Sequence, residues 1–503
     1  MEQKQLINYM SSRGFVWGPS PELYGGVAGF YEYGPNGKLL KNNIEAKIRK
    51  TFSFSDFWEV ECPIVSPESV WVASGHAGNF SDPLIVTKNS KSNFRVDKLI
   101  EENFPDVNAG NMSDDELIDF IKKNKIVAPN GEELILEIKR HILMMKTTLG
   151  VSQLAYNRPE TATSTYLPFL NYLEHFRNKL PFGVFQIGKA FRNEISPRQH
   201  LLRMREFTQA EGQLFIEANN KINFDKFNSI SKNKLPFWSA DDQINKKAVS
   251  LLTINSVLKN NNIKSQAYAW ALYVAYDLFL SFGFDSDKIR LRQHLDNEKA
   301  FYANDAWDIE IFTNTHGWIE VCGIHDRGNY DLNQHSKHSG RKLEAVCDDG
   351  KKIVPHIIEI AFGIDRPIYC LLDNYLTFNN KNEGKNILKI PYDIAPIKIA
   401  ILPLMNKDSI INLSKEIYSQ LKNDYICYYD KGGSIGKRYL RQDEIGTPFC
   451  ITIDFDSVEK NSITIRDRDS ESQIKIPIGK MSEILDFLIN KKKSFKDYGE
   501  YLI

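Results

Sequence analysis

Cysteine is scarce, with six residues in a chain of 503, at Cys62, Cys322, Cys347, Cys370, Cys427 and Cys450. No two stand close enough to make a C-x-x-C pair, which argues against a zinc ribbon or a disulfide framework and suits the reducing cytoplasm. An excess of one charge is also missing. Lys plus Arg and Asp plus Glu number 64 each, so no global field announces a nucleic-acid partner, although a local basic surface remains compatible with RNA. Long apolar runs are absent too. The opening MEQKQLINYM has no signal-peptide core, and Ala267 to Tyr276 is stopped by Asp277, short of the ~20 residues that span a bilayer. That stretch is expected to be a buried helix, with no membrane involved. A Gly-rich phosphate loop is lacking as well: in GGSIGKR (Gly432 to Arg438) the spacing is one residue short, and Arg438 stands where Ser or Thr would ligate magnesium.

What is present suits a soluble globular protein, 42% hydrophobic and 25% charged. The length calls for two or three domains. Two strings carry chemistry. AFRNEI (Ala190 to Ile195) runs into RMREFTQAEG (Arg203 to Gly212), and AFGIDRP (Ala361 to Pro367) follows much later. Phe185 to Glu194 and Arg205 to Glu211 read as two strands joined by a polar turn with Pro197, Arg198 and His200. Alternation then puts Arg192 with Glu194 on one face, and Arg205, Phe207, Gln209 and Glu211 on another. If the faces coincide, they offer cations, an aromatic plane and acids together. Arg192 can clamp a phosphate in bidentate fashion, Phe207 can stack on a base, and Arg366 can cap its other side. Alone, the first string reads as a solvated cross-strand pair; joined to the second it reads as an adenine nucleotide site.

Arranged as F-R-x-E, R-x-F-x-x-x-E and G-x-x-R before an apolar helix, these residues resemble motifs 2 and 3 of the class II aminoacyl-tRNA synthetases. Phe57, Val60, Pro63, Ile64 and Val65 in FWEVECPIV resemble motif 1. Further strings are similar to one family within the class, the dimeric, single-chain glycyl-tRNA synthetases: YGGVAGFYEYGPNG (Tyr24 to Gly37), VWVASGH (Val70 to His76), RPETA (Arg158 to Ala162), FRNEISPR (Phe191 to Arg198) and DEIGTPFCITIDFD (Asp443 to Asp456). Similarity runs from near residue 13 to about residue 490.

The resemblance implies an α+β fold: a catalytic domain whose antiparallel sheet is flanked by helices, with insertions, and a C-terminal α/β anticodon-binding domain. The expected divisions are 1–84, the first part of the catalytic domain with motif 1; 85–150, an insertion with short amphipathic helices; 151–218, catalytic with motif 2; 219–287, a helical insertion; 288–377, catalytic with motif 3; 378–394, a linker; and 395–503, the anticodon-binding domain. It implies ligation of glycine to tRNA(Gly) with ATP through glycyl-adenylate, in a cytoplasmic homodimer. The alternatives are a non-catalytic accessory protein that binds nucleic acid, or a synthetase for another small amino acid such as alanine or serine.

Carried over by residue, Arg192 takes the α-phosphate, Glu194 accepts from the adenine amino group, Phe207 stacks on adenine, and Arg366 packs opposite while reaching the γ-phosphate. Arg192, Arg366 and Glu194 form the catalytic set. Asn193, Arg205, Val321 and Gly363 complete the ATP site, with Glu320 as ligand of the magnesium that shields the phosphates. For glycine, the resemblance points to Glu160, Glu211, Glu359 and Ala361, with Arg327 pairing the carboxylate. Ala361 stands where the family usually has Ser, Thr163 and Ser164 where it has Gln-Gly, and Gly212 and Gln213 where an apolar residue and an acid are common. His294 and Asp308 are further candidates for the site. His335 and His338, near His325, are expected in a mobile surface loop rather than on a metal.

Overall fold

The computed structural model describes residues 2–502 except 105–106, 108, 196, 198, 301, 348–349, 380–384, 491–494 and 499. Its centre is a sheet of nine strands, in chain order β1 (Phe57–Glu59), β2 (Phe182–Phe191), β3 (Glu206–Ile216), β4 (Lys234–Trp238), β5 (Ser250–Thr253), β6 (Ile289–Gln293), β7 (Asp305–Thr313), β8 (Gly317–Gly328) and β9 (His356–Gly363). The spatial order is β5-β4-β6-β7-β8-β9-β3-β2-β1. All neighbours are antiparallel except β1 with β2 and β4 with β6. Among the described residues, no helix is long and apolar enough to cross a membrane.

Register decides what each face does, because directly opposed residues point the same way. One row reads Gln293, Trp307, Ile324, Ile360, Gly212 and Phe185 across six strands. It is the buried face. The helix Gln266–Ser281, which contains the apolar stretch expected to be buried, packs against it, as does the helix Pro35–Phe54. A Cβ on Gly212 would stand 2.6 Å from the Phe52 ring, so the glycine at this unusual position is what lets that ring lie on the sheet. The adjacent row, Arg292, Asp308, Gly323, Ala361, Glu211 and Gln186, lies on the opposite, polar face.

The helix Pro35–Phe54 begins with Gly37 pressed on the preceding chain. A Cβ there would come 1.9 Å from the Phe15 carbonyl oxygen, and backbone cannot swing aside as a side chain can. Gly37→Ala is therefore expected to destabilise the fold by ~1–3 kcal/mol, read as a lower urea midpoint; an unchanged midpoint would show that this contact relaxes freely.

Several expectations need correction. The first motif strand starts earlier, at Phe182, and ends at Phe191. Beyond it Glu194 N–H turns back to the Arg192 carbonyl at 2.7 Å, so Arg192 and Glu194 do not share a strand face. The second strand runs on to Ile216, because Leu214 and Ile216 continue its apolar alternation into the core. Arg198 of the connecting turn lies outside the described residues. Residues 219–287 are not purely helical, since β4 and β5 extend the central sheet. Pro236 cannot donate to a ladder, yet it sits in β4 just before pairing with β6 begins at Phe237. His335 and His338 belong to the helix Tyr330–Ser339, with His335 buried; Asp331, Leu332 and His335 form its inward stripe. The segment 378–394 is not a solvated spacer. It continues a hairpin, Leu376–Asn379 with Lys385–Leu388, and Leu388, Ile390 and Ile394 are buried in the main core; its residues 380–384 lie outside the described set.

Residues 81–142 form a separate layer. Strands Ser81–Thr87, Asn93–Arg95 and Leu134–Ile142 pair beside helices Val96–Asn103 and Asp114–Asn124, around a small core of Ile85, Val96, Ile100, Leu117 and Ile121. Ser113 and Glu116 do cap each other's backbone at the second helix. The strands were not foreseen. The C-terminal part has its own sheet: β10 (Ile399–Pro403), β11 (Cys427–Tyr429), β12 (Phe449–Ile453), β13 (Ser462–Asp467), β14 (Gln473–Pro477) and β15 (Glu500–Tyr501), in the order β11-β10-β12-β13-β14-β15. The first three are parallel and the rest antiparallel. GGSIGKR there caps and opens a helix, with Ser434 accepting from Lys437 N–H.

Candidate active site

A cavity of about 330 Å³ opens on the polar face where β3, β8 and β9 meet. Arg192, Glu194, Phe207, Glu320, Val321, Gly363 and Arg366 all line it, so the two arginines remote in sequence do meet. The Arg192 guanidinium lies between two rings, 5.4 Å from the Phe207 centroid and 5.3 Å from that of Phe80. Its Nε donates to the Pro159 carbonyl at 3.1 Å, leaving the terminal nitrogens for a ligand. Arg366 is held at the cavity mouth by the carbonyls of Leu202 (3.2 Å) and Glu320 (2.9 Å), with the Glu320 carboxylate 3.5 Å away. The Glu194 carboxylate is drawn onto Arg203 at 2.7 Å. Arg205 and Asn193 stand outside the lining. Arg205 donates to the carbonyls of Glu194 and Ala28, pinning the 26–30 loop, and the Asn193 carbonyl meets His141 Nε2.

The acids gather next to this cavity. Glu211 and Ala361 are partners across β3 and β9, and Glu359 opposes both Gln213 and His325. Glu160 arrives from the loop before the helix Ala162–Tyr166. Each carboxylate is individually supported. Glu211 accepts from the Thr161 hydroxyl at 2.6 Å and from Gln209. Glu359 accepts from Tyr166 at 3.1 Å and Gln213 at 3.0 Å, and Glu160 accepts from Thr163 at 2.8 Å, with His76 Nε2 at 3.4 Å. Thr163 and Gln213, two of the unusual residues, thus serve as donors to the acids. Ser164 is used differently, accepting from the buried Arg158 at 3.2 Å. Arg327 closes its fork on Asp331, with both contacts 2.8 Å, and turns Nη1 to Glu359 at 3.3 Å. The Tyr302 ring lies 4.2 Å from the guanidinium carbon.

These surroundings divide the acids. Burial alone would raise all three. For Glu359 the Arg327 charge and His325 outweigh it, and for Glu160 His76 does so, holding both below the usual carboxylate range. Glu211 goes the other way: burial, then repulsion from Glu359 and Glu160, push it well above that range. Two carboxyls are thus shifted down beside one that is shifted up.

Residues 155–375 match the tRNA synthetase class II core domain (G, H, P, S and T), and residues 398–488 the anticodon binding domain. The chain is 36% identical to a Glycine--tRNA ligase of Methanococcus maripaludis over 97% of its own length and 99% of the relative's. Glycine--tRNA ligases of Methanocaldococcus jannaschii and Pyrococcus horikoshii match at the same identity, over 97% and 96% of the chain and 99% and 98% of the relatives. This chain belongs to the glycine--tRNA ligase family. Among solved structures, Giardia lamblia prolyl-tRNA synthetase in complex with prolyl-adenylate has the same fold at 14% identity, with a TM-score of 0.60 over 96% of this chain and 74% of that one.

Sequence reasoning passed over the supports of this family's site. Asp365 precedes the motif 3 arginine and is almost fully buried, accepting from Tyr33 (2.6 Å), Thr208 N–H (2.8 Å) and Lys41 (3.0 Å). Its partners lie more than 150 residues away, so only a charged residue inside the apolar helix start hinted at them. Tyr166, Tyr302 and Asp331 gave no local signal, and His76 stood out only as the end of the string VWVASGH.

Proposed function

We infer that this chain ligates glycine to tRNA(Gly) in two steps. Glycine and ATP give glycyl-adenylate and diphosphate, and the tRNA 3′ end then takes the glycyl group and releases AMP. The observation that carries the reading is the convergence of Glu160, Glu211 and Glu359, beside Arg327, against a cavity lined by Arg192, Phe207 and Arg366. A cluster of buried acids suits an ammonium group, and the adjoining cavity suits a nucleotide.

The glycine carboxylate is already ionised at neutral pH, so it can attack the α-phosphorus with no general base. The chain contributes position and charge. Arg192 takes the α-phosphate, Phe207 stacks on adenine, Arg366 packs on its other face and reaches the γ-phosphate, and Glu194 accepts from the adenine amino group. Arg205 and Asn193 act behind them by holding the loops in place. Glu160, Glu211 and Glu359 receive the ammonium. Arg327 keeps Glu359 ionised, and it meets the glycine carboxylate through Nη1, the terminal nitrogen not engaged with Asp331. Ala361 bounds the pocket. The divalent cation that travels with ATP is assigned as Mg2+: the Glu320 carboxylate stands 57% exposed at the cavity mouth, the single-acid type of site that this ion accepts along with phosphates and water. It would neutralise phosphate charge.

The same reading makes 395–503 the anticodon-binding domain, 85–150 and 219–287 insertions within the catalytic domain, and the enzyme a cytoplasmic homodimer built through the segment around Phe57 to Val65. Exchange of pyrophosphate into ATP, measured with glycine, alanine and serine in turn, tests the substrate. Exchange with glycine alone is expected; a faster rate with alanine or serine, or none with any of them, would reject the assignment.

Proton traffic offers a second test. Burial and the neighbouring Glu359 and Glu160 raise Glu211, and an ammonium set among the three acids would act in the opposite direction. Glycine binding is therefore expected to release up to about one proton over the pH range in which Glu211 titrates, so affinity there rises with pH by at most about tenfold per unit. Calorimetry in buffers of differing ionisation heat reads this directly. Binding heats that do not depend on the buffer would refute it.

A further inference from the structure

The polar sheet face carries one more group that adenylate formation does not use. His294 follows β6, and its N–H bonds the Ala306 carbonyl at 3.0 Å. Asp308 lies two residues along β7 from Ala306, and His325 stands opposite Ala306 on β8. All three side chains leave one face of adjacent strands. One ligating atom from each lies within 4.8 Å of the others, and His294 Nε2 is 2.7 Å from Asp308 Oδ2.

A plain His–Asp pair would need only two of these residues. The third is brought in by design of the strand: a Cβ on Gly323 would lie 2.6 Å from His325 Cε1, so the imidazole folds back over the glycine that pairs with Asp308. Its Nδ1 then sits 3.3 Å from Glu359 Oε1. Among the described residues the buried Nδ1 atoms of His294 and His325 meet no hydrogen-bond geometry; the His294 ring is oriented through Nε2 by Asp308, and His325 by the ionic contact of Nδ1 with Glu359.

We propose that His294, Asp308 and His325 form a binding site for a divalent transition-metal ion of the Zn2+ or Co2+ type, built into the wall of the glycine pocket. Two imidazoles and one carboxylate are the donors such ions prefer, whereas Mg2+ favours oxygen alone. The donor atoms are near enough for small side-chain rotations to bring each within about 2.0–2.2 Å of one ion. His325 ligates through Nε2 while Nδ1–H faces Glu359, the arrangement in which an outer carboxylate fixes the ring and its tautomer. Occupancy then braces Glu359, one of the acids that receive the substrate ammonium.

The full-length protein, stripped with a chelator and dialysed, is titrated with Co2+ in the absence of ATP and glycine. A single equivalent is expected to bind with micromolar or tighter affinity and to produce visible absorption bands without thiolate charge transfer, since no cysteine takes part. His325→Ala, Asp308→Asn and His294→Gln should each weaken binding by about tenfold or more. Circular dichroism establishes that each variant is folded, and His325→Ala decides if the other two are not. Absence of saturable binding to the unmodified protein overturns the proposal, as does wild-type affinity in any folded variant. Because neither substrate is present, this result is independent of whether glycine is the amino acid activated.

Discussion

Replacing Arg192 by alanine is expected to lower glycine-dependent pyrophosphate exchange by ~100-fold or more. The negative charge that grows on the α-phosphoryl oxygens as the carboxylate attacks needs a fixed cation beside it, and Arg192 is fixed before any substrate arrives. Its guanidinium is held between Phe80 and Phe207 and anchored through Nε to Pro159. No reorganisation is then required in the transition state. Stability should change little, because the side chain is partly exposed and, among the described residues, makes a single hydrogen bond. Arg192→Lys keeps the charge but loses both the planar fork and its fit between the rings, so an intermediate loss is expected. Exchange by Arg192→Ala at the wild-type rate, with the thermal midpoint also unchanged, would remove this residue from the chemistry.

The second large effect concerns stability. Asp365→Ala should cost ~3–5 kcal/mol, because it leaves the Lys41 ammonium buried and without its counter-charge. Lys41 is 4% exposed, and among the described residues its ammonium otherwise meets the Thr208 hydroxyl, at 2.6 Å, and the face of the Tyr33 ring, 4.4 Å from its centroid. The same change orphans the Tyr33 hydroxyl and the Thr208 N–H. Burial would raise the Asp365 carboxyl, but Lys41 together with the hydrogen bonds from Tyr33 and Thr208 N–H outweighs it and holds it below its ordinary range. The sign follows: this contribution is fully present above the unfolded carboxyl's value near 3.8, and it is lost as pH falls through the folded one. Urea unfolding at neutral pH measures the cost. The double change Lys41→Met with Asp365→Leu should recover more than half of it, since it removes both charges together. Arg366 is the next residue, so exchange activity should fall in Asp365→Ala as well. An unaltered unfolding midpoint would mean that the pair is not a support of the motif 3 helix.

Legibility in the sequence followed the range of the forces involved. Ala267–Tyr276 was recognisable as a buried helix because ten apolar residues in a row bury themselves wherever they fall; the helix itself runs from Gln266 to Ser281. The Ser113 and Glu116 cap was recognisable because its whole geometry lies within three residues. The alternation of strand and helix after residue 398 was similarly local. By contrast, β4 and β5 depend on pairing with an edge supplied by residues 289–293, and nothing within 219–287 announces that edge. His335 looked like part of a polar loop because its burial is imposed from outside the helix. The ends of the motif 2 strands were misplaced because the turn at Arg192 to Glu194 is set by hydrogen bonds and a salt bridge to Arg203, not by residue type.

The order of motifs, the residue types within them and the switch to a second α/β unit were written in the chain itself, because each rests on short-range periodicity or on the chemistry of single side chains. Which acid is shifted up and which are shifted down was decided elsewhere. Glu160, Glu211 and Glu359 are alike as residues, and they diverge only because Arg327, His325 and His76 stand beside two of them and leave the third to burial and repulsion. Likewise no reading of HDR or RQH could place His325 over Gly323 or His294 against Asp308. Electrostatic energy depends on distances through space, and those distances exist only once the nine strands are in register.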